Sequence, residues 1–118
     1  ERYKSKEIYN NSKEVIEIFF HEIIKMNLAD KMVIILDADR RDIYKNISRK
    51  SYFNDMRTYM ISLAVKNNIK YIDMEKVFLK DFKKYEKKFE FPTDSHWNER
   101  AHFLVAKELI KKYKILSD

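Results

Sequence analysis

The sequence contains no cysteine and no glycine, and Pro92 is its single proline among 118 residues. Without cysteine, disulfides, catalytic thiolates and cysteine-based zinc sites are excluded. At average usage, a chain of this length would carry about eight glycines. A Walker loop, a GxGxxG turn and a GxSxG nucleophile elbow each need glycine for close backbone approach or for positive φ. All three motifs are therefore excluded.

Long apolar runs are lacking as well. No stretch approaches the roughly 20 apolar residues that a membrane helix needs, and the N-terminal segment ERYKSKEIYNNSKEV has no apolar signal-peptide core. Hydrophobic residues make up 45% and charged residues 37% of the chain, which is typical of a globular protein rather than a disordered one. We predict no membrane segment in this chain, and its localisation stays open.

The net charge of +6 raises the question of nucleic-acid binding. The excess is mostly lysine, and in KDFKKYEKK and KELIKKYK the lysines alternate with apolar residues and glutamate, as on a solvated helix face. A nucleic-acid surface would need arginines and aromatic residues converging on one face. We therefore predict no nucleic-acid partner.

Hydrophobic periodicity predicts helices that alternate with two strands. Asn11 with Glu14 is typical of a capping box, ahead of the helical stretch VIEIFFHEIIKMNL. The run KMVIILD is short, apolar and β-branched, without polar alternation, which is typical of a strand that is buried on both faces of a parallel sheet. IKYIDM is predicted to be a second short strand.

The remaining stretches return to helical period. SYFNDMRTYMISLAVKNN and EKVFLKDFKKYEKK are predicted helices, and ADRRDIYKNISRK is predicted to be a polar connection. The last helix is predicted to begin near Asn98, a good N-cap. Its expected inward residues are Phe103, Ala106, Leu109, Ile110 and Tyr113.

This order of elements predicts an α/β protein with parallel strands joined by helical crossovers. Two strands alone do not make a stable doubly wound sheet. The chain also begins at Glu1 rather than at methionine. We therefore expect residues 1–118 to be a single, partial domain, the second half of a larger one.

Near the C-terminus, the loop FEFPTDSH brings an acid and a histidine together. Open α/β sheets carry their active sites outside the carboxyl ends of the strands. A histidine that acts as general base needs a carboxylate to fix its tautomer and to stabilise the imidazolium. The spacing lets the Asp94 carboxylate fold back towards Nδ1 of His96, with Trp97 as a wall and Asn98 as the helix cap. Asp, Ser and Asn are also ordinary cap residues, so an incidental loop histidine is the alternative.

The wider segment NIKYIDMEKVF…FPTDSHWNERAHFLVAKEL resembles the C-terminal block of the SGNH (GDSL-like) hydrolase superfamily, and KMVIILDADRRDIY is similar to the preceding strand of that fold. The resemblance implies the C-terminal portion of a flavodoxin-like, three-layer α/β/α parallel-sheet fold. It implies His96 as the general base, Asp94 as its partner, and Trp97 and Asn98 as supporting residues. The implied activity is a serine esterase or acetyl transferase that acts on O-acyl esters of carbohydrate-like substrates, without cofactor or metal.

The chain departs from the family pattern in three ways. Its Asp-x-His spacing, instead of Asp-x-x-His, resembles the branch related to polysaccharide O-acetyltransferases. Ala101 stands where the family usually has glycine. No Gly-Asp-Ser strand end is present, and Ser95 sits between acid and base with its side chain expected to point away from the imidazole. The other serines lack a nucleophile-like context: Ser5, Ser12, Ser48, Ser51, Ser62 and Ser117. The nucleophile is therefore unknown, and the N-terminal half that bears it is expected to be absent from this chain.

Two other constellations are open to a chemical reading. Asp37 and Asp39 follow a hydrophobic strand, as in phosphatases of the haloacid dehalogenase type, but no later acidic pair accompanies them. Arg40 stands where that pattern has a small residue, so we expect the acids and arginines here to order a loop. His96 and His102 are six residues apart rather than four, so no metal site is predicted.

A non-catalytic role is the competing hypothesis. A basic α/β module with an incomplete sheet would expose an unpaired strand edge and an apolar face. Such a module would self-associate through that edge or would use it to bind a partner.

Overall fold

The computed structural model describes residues 5–114 of the chain. Its elements, in chain order, are α1 (Lys6–Lys25), β1 (Val33–Leu36), α2 (Arg40–Lys45), α3 (Tyr52–Lys66), β2 (Lys70–Asp73), α4 (Glu75–Tyr85) and α5 (Glu99–Tyr113). The strands β1 and β2 are neighbours in a two-stranded parallel sheet. The prediction of an α/β protein with parallel strands is confirmed. Ser117, one of the serines considered above, lies outside the described residues.

The chain divides into two compact units. The first comprises the described parts of Glu1–Leu36 and Arg49–Tyr71, and the second those of Asp37–Ser48 and Ile72–Asp118. In the first unit, α1 packs against α3, and its core consists of Phe20, Ile23, Ile34, Leu36, Ala64 and Ile69. In the second unit, α4 packs against both α2 and α5. Met74, Phe78 and Phe89 are the largest side chains that are fully buried there.

The first helix begins well before its predicted start. Ser5 is the N-cap, and its Oγ accepts a hydrogen bond from the Ile8 backbone N–H at 3.2 Å. The predicted capping box of Asn11 and Glu14 is wrong, because both residues lie inside the helix on its exposed side. A serine with an acidic residue, Glu7, in the following turn supplies the same start signal earlier in the chain.

The segment that was predicted as a polar connection contains a short helix, α2. Asp39 is its N-cap, and Asn46 ends it in the left-handed region at φ 52°. Asparagine tolerates this region better than other residues that carry a Cβ. Asn27 and Asn68 adopt similar angles just after α1 and α3. At these three helix ends, asparagine therefore occupies the left-handed position that glycine occupies in most proteins.

The last helix begins after Asn98, as predicted, but it turns a different face inward. Its buried residues are Ala101, Leu104 and Val105, whereas Phe103 is 61% exposed. Of the other predicted inward residues, Ala106 and Ile110 are exposed, whereas Leu109 and Tyr113 are partly buried. On the side that faces α4, Arg100 forms an ion pair with Asp81 at 2.7 Å.

Among residues 5–114, no helix has the length and apolar character that crossing a membrane requires.

Candidate functional site

The loop that carries Asp94 and His96 is anchored at both of its ends. Phe89, just before the loop, is fully buried and stacks on Phe78 with ring centroids 4.3 Å apart. Glu90 and Trp97 form an antiparallel bridge that closes the loop. The Trp97 ring meets the edge of Phe78 at 6.1 Å. Residues 91–96 between these anchors are all exposed, so the loop is an exposed tip on a packed base.

Asn98 fastens the base and starts the following helix. Its Oδ1 accepts from the Ala101 backbone N–H at 3.0 Å, which is the predicted N-cap contact. Its Nδ2 donates to the carbonyl oxygens of Lys88 and Glu90 at 3.0 and 3.2 Å. The Asn98 backbone N–H donates to the Phe89 carbonyl at 2.9 Å. One side chain therefore ties the end of the loop to its beginning.

Arg40 ties the tip of the loop to the start of α2. Its Nη2 donates to the Ser95 carbonyl oxygen at 2.9 Å and lies 3.1 Å from Oδ2 of Asp37. Its Nη1 donates to Oε2 of Glu90 at 3.0 Å. Asp37 is the residue that directly follows β1. A planar guanidinium can satisfy three acceptors at once because its donors point in fixed directions.

Tyr44 supports the same junction from α2. Its hydroxyl donates to Oε2 of Glu90 and accepts from the Phe89 backbone N–H at 2.9 Å. Partial burial, and then the hydrogen bond to the Glu90 carboxylate, raise the pKa of Tyr44 well above its ordinary value. Arg40 and Tyr44 thus share one carboxylate at the base of the loop.

The acid and the histidine are in contact, as the spacing predicted. Nδ1 of His96 lies 3.1 Å from Oδ1 of Asp94, and the same oxygen accepts from the His96 backbone N–H at 2.7 Å. The backbone hydrogen bond is the main reason that the pKa of Asp94 falls below its ordinary value; the hydrogen bond from the ring adds to it, and desolvation opposes it. The His96 side chain is 86% exposed and that of Asp94 52%. This arrangement leaves Nε2 of His96 open to solvent.

The serine hydroxyls of the described residues do not contact the His96 ring. Among residues 5–114, no serine hydroxyl is hydrogen-bonded to the His96 ring. Ser95 contributes its carbonyl oxygen to Arg40, and Ser5 and Ser51 are helix N-caps. The hydroxyl of Ser62 donates to a backbone carbonyl within α3. The described residues thus hold a histidine that is oriented by Asp94, without a serine hydroxyl on its ring.

The rival acids after β1 have structural contacts. Asp37 Oδ1 accepts from the Ala38 backbone N–H at 2.8 Å, and its other oxygen pairs with Arg40. Asp39 is buried, and its Oδ1 accepts from the Asp42 backbone N–H at the start of α2. The expected ordering of this loop by its acids and by Arg40 is thus present in the contacts.

The other histidines do not join the site. His102 lies on α5 with its ring edge-on to Trp97 at 5.8 Å, and His21 is exposed on α1. Within the described range, no three acidic or histidine side chains are grouped closely enough to hold a metal ion. The indole N–H of Trp97 is buried without an acceptor in residues 5–114, so this ring contributes packing at the base of the loop.

Sequence reasoning missed Glu90 and Tyr44. Both belong to the site because they hold the loop base, and each contacts a residue more than 40 positions away. Neither lies in a recognisable motif. Alternation of Phe89 and Phe91 around Glu90 is the one local signal, and it is typical of any short extended segment.

Replacing Tyr44 by phenylalanine is expected to lower the free energy of unfolding by about 1–3 kcal/mol at pH 7, because the Phe89 N–H loses its acceptor and Glu90 loses a donor. The folded state holds the Tyr44 proton more tightly than the unfolded state does. Its contribution is therefore complete below the ordinary tyrosine pKa of about 10 and is lost as pH rises beyond it.

Urea unfolding of both proteins at pH 7 and at pH 11 checks this prediction. The difference in stability between wild type and Tyr44→Phe should shrink at the higher pH. Tyr85→Phe is the matched control, because Tyr85 is exposed on α4 and the substitution likewise removes a hydroxyl and retains the aromatic ring. A difference in stability that is the same at both pH values would contradict the proposed role of the Tyr44 hydroxyl.

Comparison with known proteins finds no family model, no curated protein and no solved structure that matches this chain.

Proposed function

We propose that this chain is the base-bearing part of an SGNH-type serine esterase or acyl transferase. The observation that carries the proposal is the hydrogen bond between Asp94 and Nδ1 of His96, on a loop held by Arg40 and Asn98. A carboxylate on Nδ1 fixes the tautomer that leaves Nε2 free to accept a proton, which is the arrangement a general base requires.

The proposed reaction begins with a serine from outside residues 1–118. Nε2 of His96 accepts the hydroxyl proton while the serine oxygen attacks the carbonyl carbon of an ester. Asp94 stabilises the resulting imidazolium. The imidazolium then donates the proton to the leaving alcohol, and an acyl-enzyme remains. Water or a sugar hydroxyl then attacks the acyl carbon while Nε2 of His96 accepts its proton. The bond between the acyl carbon and the serine oxygen breaks, and the imidazolium returns the proton to the serine. Attack by water makes the protein an esterase, and attack by a sugar hydroxyl makes it an acyl transferase.

The exposure of the pair fits a site that another part of the protein completes. A carboxylate and an imidazole in water interact weakly, and the same pair gains strength when water is excluded. The sheet of the described residues has two strands, fewer than an independently stable sheet needs. We propose that a preceding segment supplies both the serine and those strands, which together would form a flavodoxin-like α/β/α sandwich.

The substrate class follows from the resemblance and from the Asp-x-His spacing. We propose an O-acyl, in particular O-acetyl, ester of a carbohydrate-like molecule. An exposed and polar loop, with Arg40 and Glu90 at its base, suits a hydroxylated substrate better than an apolar one. No cofactor enters the proposed chemistry.

A fluorophosphonate probe tests the proposal, because it modifies only serines that a base has activated. The natural protein that contains this sequence is incubated with the probe, digested and analysed by mass spectrometry. We expect one labelled serine, located outside residues 1–118, and no label on the heat-denatured control. Absence of labelling together with absence of acetyl-ester hydrolysis would overturn the proposal. A labelled serine inside residues 1–118 would overturn the division of the triad between two segments.

A further inference from the structure

A second surface lies in the same unit as the loop, between α4 and α5. It is a groove of about 790 Å³. Its apolar lining comes from Val77, Leu104 and Ile110, with Tyr85 at one end. Ile110 remains 44% exposed, although it belongs to the apolar lining of a helix pair. Nothing in the proposed chemistry at His96 uses this groove.

The rim of the groove is basic. Lysines from both helices line it: Lys76, Lys80 and Lys84 of α4, and Lys107 and Lys111 of α5. Of the two acids that line it, Asp81 is already neutralised, because Arg100 donates to both of its oxygens at 2.7 Å. Glu108 is the other acid. The groove therefore presents an apolar floor between two rows of positive charge.

An amphipathic helix with acidic borders fits such a groove. Helix-in-groove binding places apolar residues at positions i, i+3 or i+4, and i+7 on the floor and leaves the flanking residues to the rim. Single-stranded nucleic acid fits less well, since it relies on open aromatic rings for stacking. Tyr85, the one aromatic residue of the lining, is covered by the guanidinium of Arg100 at 4.6 Å and by Lys84 at 5.1 Å.

The outer face of α1 carries exposed apolar residues one and two helical turns apart. Ile8, Val15 and Ile18 are 45%, 65% and 56% exposed, at positions i, i+7 and i+10 of one helix. Their spacing places them along one side of the helix, away from the buried residues Phe20 and Ile23. Glu7 and Glu14 lie at one edge of this side, and Glu22 follows Ile18 by one helical turn.

The two surfaces also match in length. Ile8 to Ile18 spans about 15 Å along the axis of α1, and Lys76 to Lys84 spans about 12 Å along α4. We propose that the outer face of α1 in one copy of this chain docks into the α4–α5 groove of a second copy. Apolar residues meet the floor, and the glutamates of α1 meet the lysines of the rim.

This interface joins two unlike surfaces, so each copy offers one of each kind. Such contacts close into a ring or continue as an open chain. The average mass in solution should therefore rise with protein concentration, and it should fall with added salt, because the pairing lysines and glutamates are exposed.

Complementation between two variants tests the proposal on the chain as it exists. Val15→Glu disables the α1 face, and Lys80→Glu with Lys107→Glu disables the groove; all three positions are exposed, and glutamate is a good helix former. Lys83→Glu with Lys112→Glu is the charge-matched control, at two lysines of the same helices that do not line the groove. Circular dichroism verifies that each variant is folded, and sedimentation equilibrium gives the masses.

We expect the wild type and the control to associate, and each disabled variant to associate at least about tenfold more weakly. An equimolar mixture of the two disabled variants should form a heterodimer and go no further, since one working face and one working groove remain.

A wild type that stays monomeric at millimolar concentration would overturn the proposal. If both disabled variants associate as strongly as the wild type, the proposal is wrong and the contact belongs to the edge of the sheet. A monomeric wild type whose groove binds a 15-residue oligothymidine probe would show that the groove serves nucleic acid.

Discussion

Replacing His96 by alanine in the natural protein that contains this sequence is expected to lower kcat for acetyl-ester hydrolysis about 10⁴-fold, with little change in KM. A serine without its general base retains only the catalysis that oxyanion donors and substrate binding provide. His96 is exposed and makes its ring contact with Asp94, so the substitution should leave the fold intact. Initial rates with a chromogenic acetyl ester, with KM and kcat determined separately, measure the effect.

The substitution Asp94→Asn removes the negative charge of Asp94 and retains the side-chain oxygen that holds the turn of the loop. The asparagine Oδ1 can still accept from the His96 backbone N–H, which keeps the turn. It cannot stabilise an imidazolium as a carboxylate does. Because the pKa of Asp94 lies below its ordinary value, the wild-type carboxylate is charged at any assay pH above about 5. We expect a loss in kcat of about 10²–10⁴-fold, smaller than for His96→Ala, because Asp94 is half exposed.

His102→Ala is the matched control for both substitutions. His102 follows the loop closely in the chain, but its ring rests on Trp97 and not on Asp94. Its removal should leave kcat within about threefold of the wild type, with a loss of stability of about 1 kcal/mol from the lost ring contact. Wild-type hydrolysis by the His96→Ala protein, with the His102→Ala protein equally active, would refute the assignment of the base.

The parts of the fold that follow from local patterns were predictable. Val33–Leu36 is a β-branched apolar run, and the strand that this pattern predicts is present. Its predicted burial on both faces is confirmed only in part, because Ile34 and Leu36 are buried whereas Val33 and Ile35 are partly exposed. The contact between Asp94 and His96 is equally local, because a carboxylate two residues before an amide can hydrogen-bond it. Asn98 is an N-cap residue at the start of an apolar period, which also needs no tertiary information.

The contacts that hold the loop could not be predicted in this way. Arg40 reaches Glu90 and Ser95 across 50 and 55 residues of chain, and such pairs depend on how helices pack. The prediction of which residues of α5 are buried was wrong for a related reason. Phe103 is the largest apolar residue of that helix, but the smaller Ala101 and Leu104 occupy the buried side. The size of an apolar side chain predicts how much free energy its burial would contribute. Which side chain is buried depends on the packing geometry of the helices.

Arg40→Lys is expected to loosen the loop and to lower activity, although the positive charge remains. A lysine ammonium is a point charge on a flexible stem and cannot hold the Ser95 carbonyl, Glu90 and Asp37 together as the planar guanidinium does. Lost hydrogen bonds to charged partners should lower the free energy of unfolding by about 1–3 kcal/mol. The NMR order parameters of residues 94–96 should fall from rigid values of about 0.85 towards 0.6.

Misplacement of the base by about 1 Å can cost up to about 10²-fold in rate, so kcat of the natural protein should fall about 10- to 100-fold while KM changes little. Arg41→Lys is the control, since the neighbouring Arg41 side chain is 68% exposed and lies 3.7 Å from Asp39. It should change the free energy of unfolding by less than about 0.5 kcal/mol. A destabilised Arg40→Lys protein with unchanged order parameters and unchanged kcat would make Arg40 a stabilising residue only. Loss of kcat together with loss of order at residues 94–96 would make it the residue that positions His96.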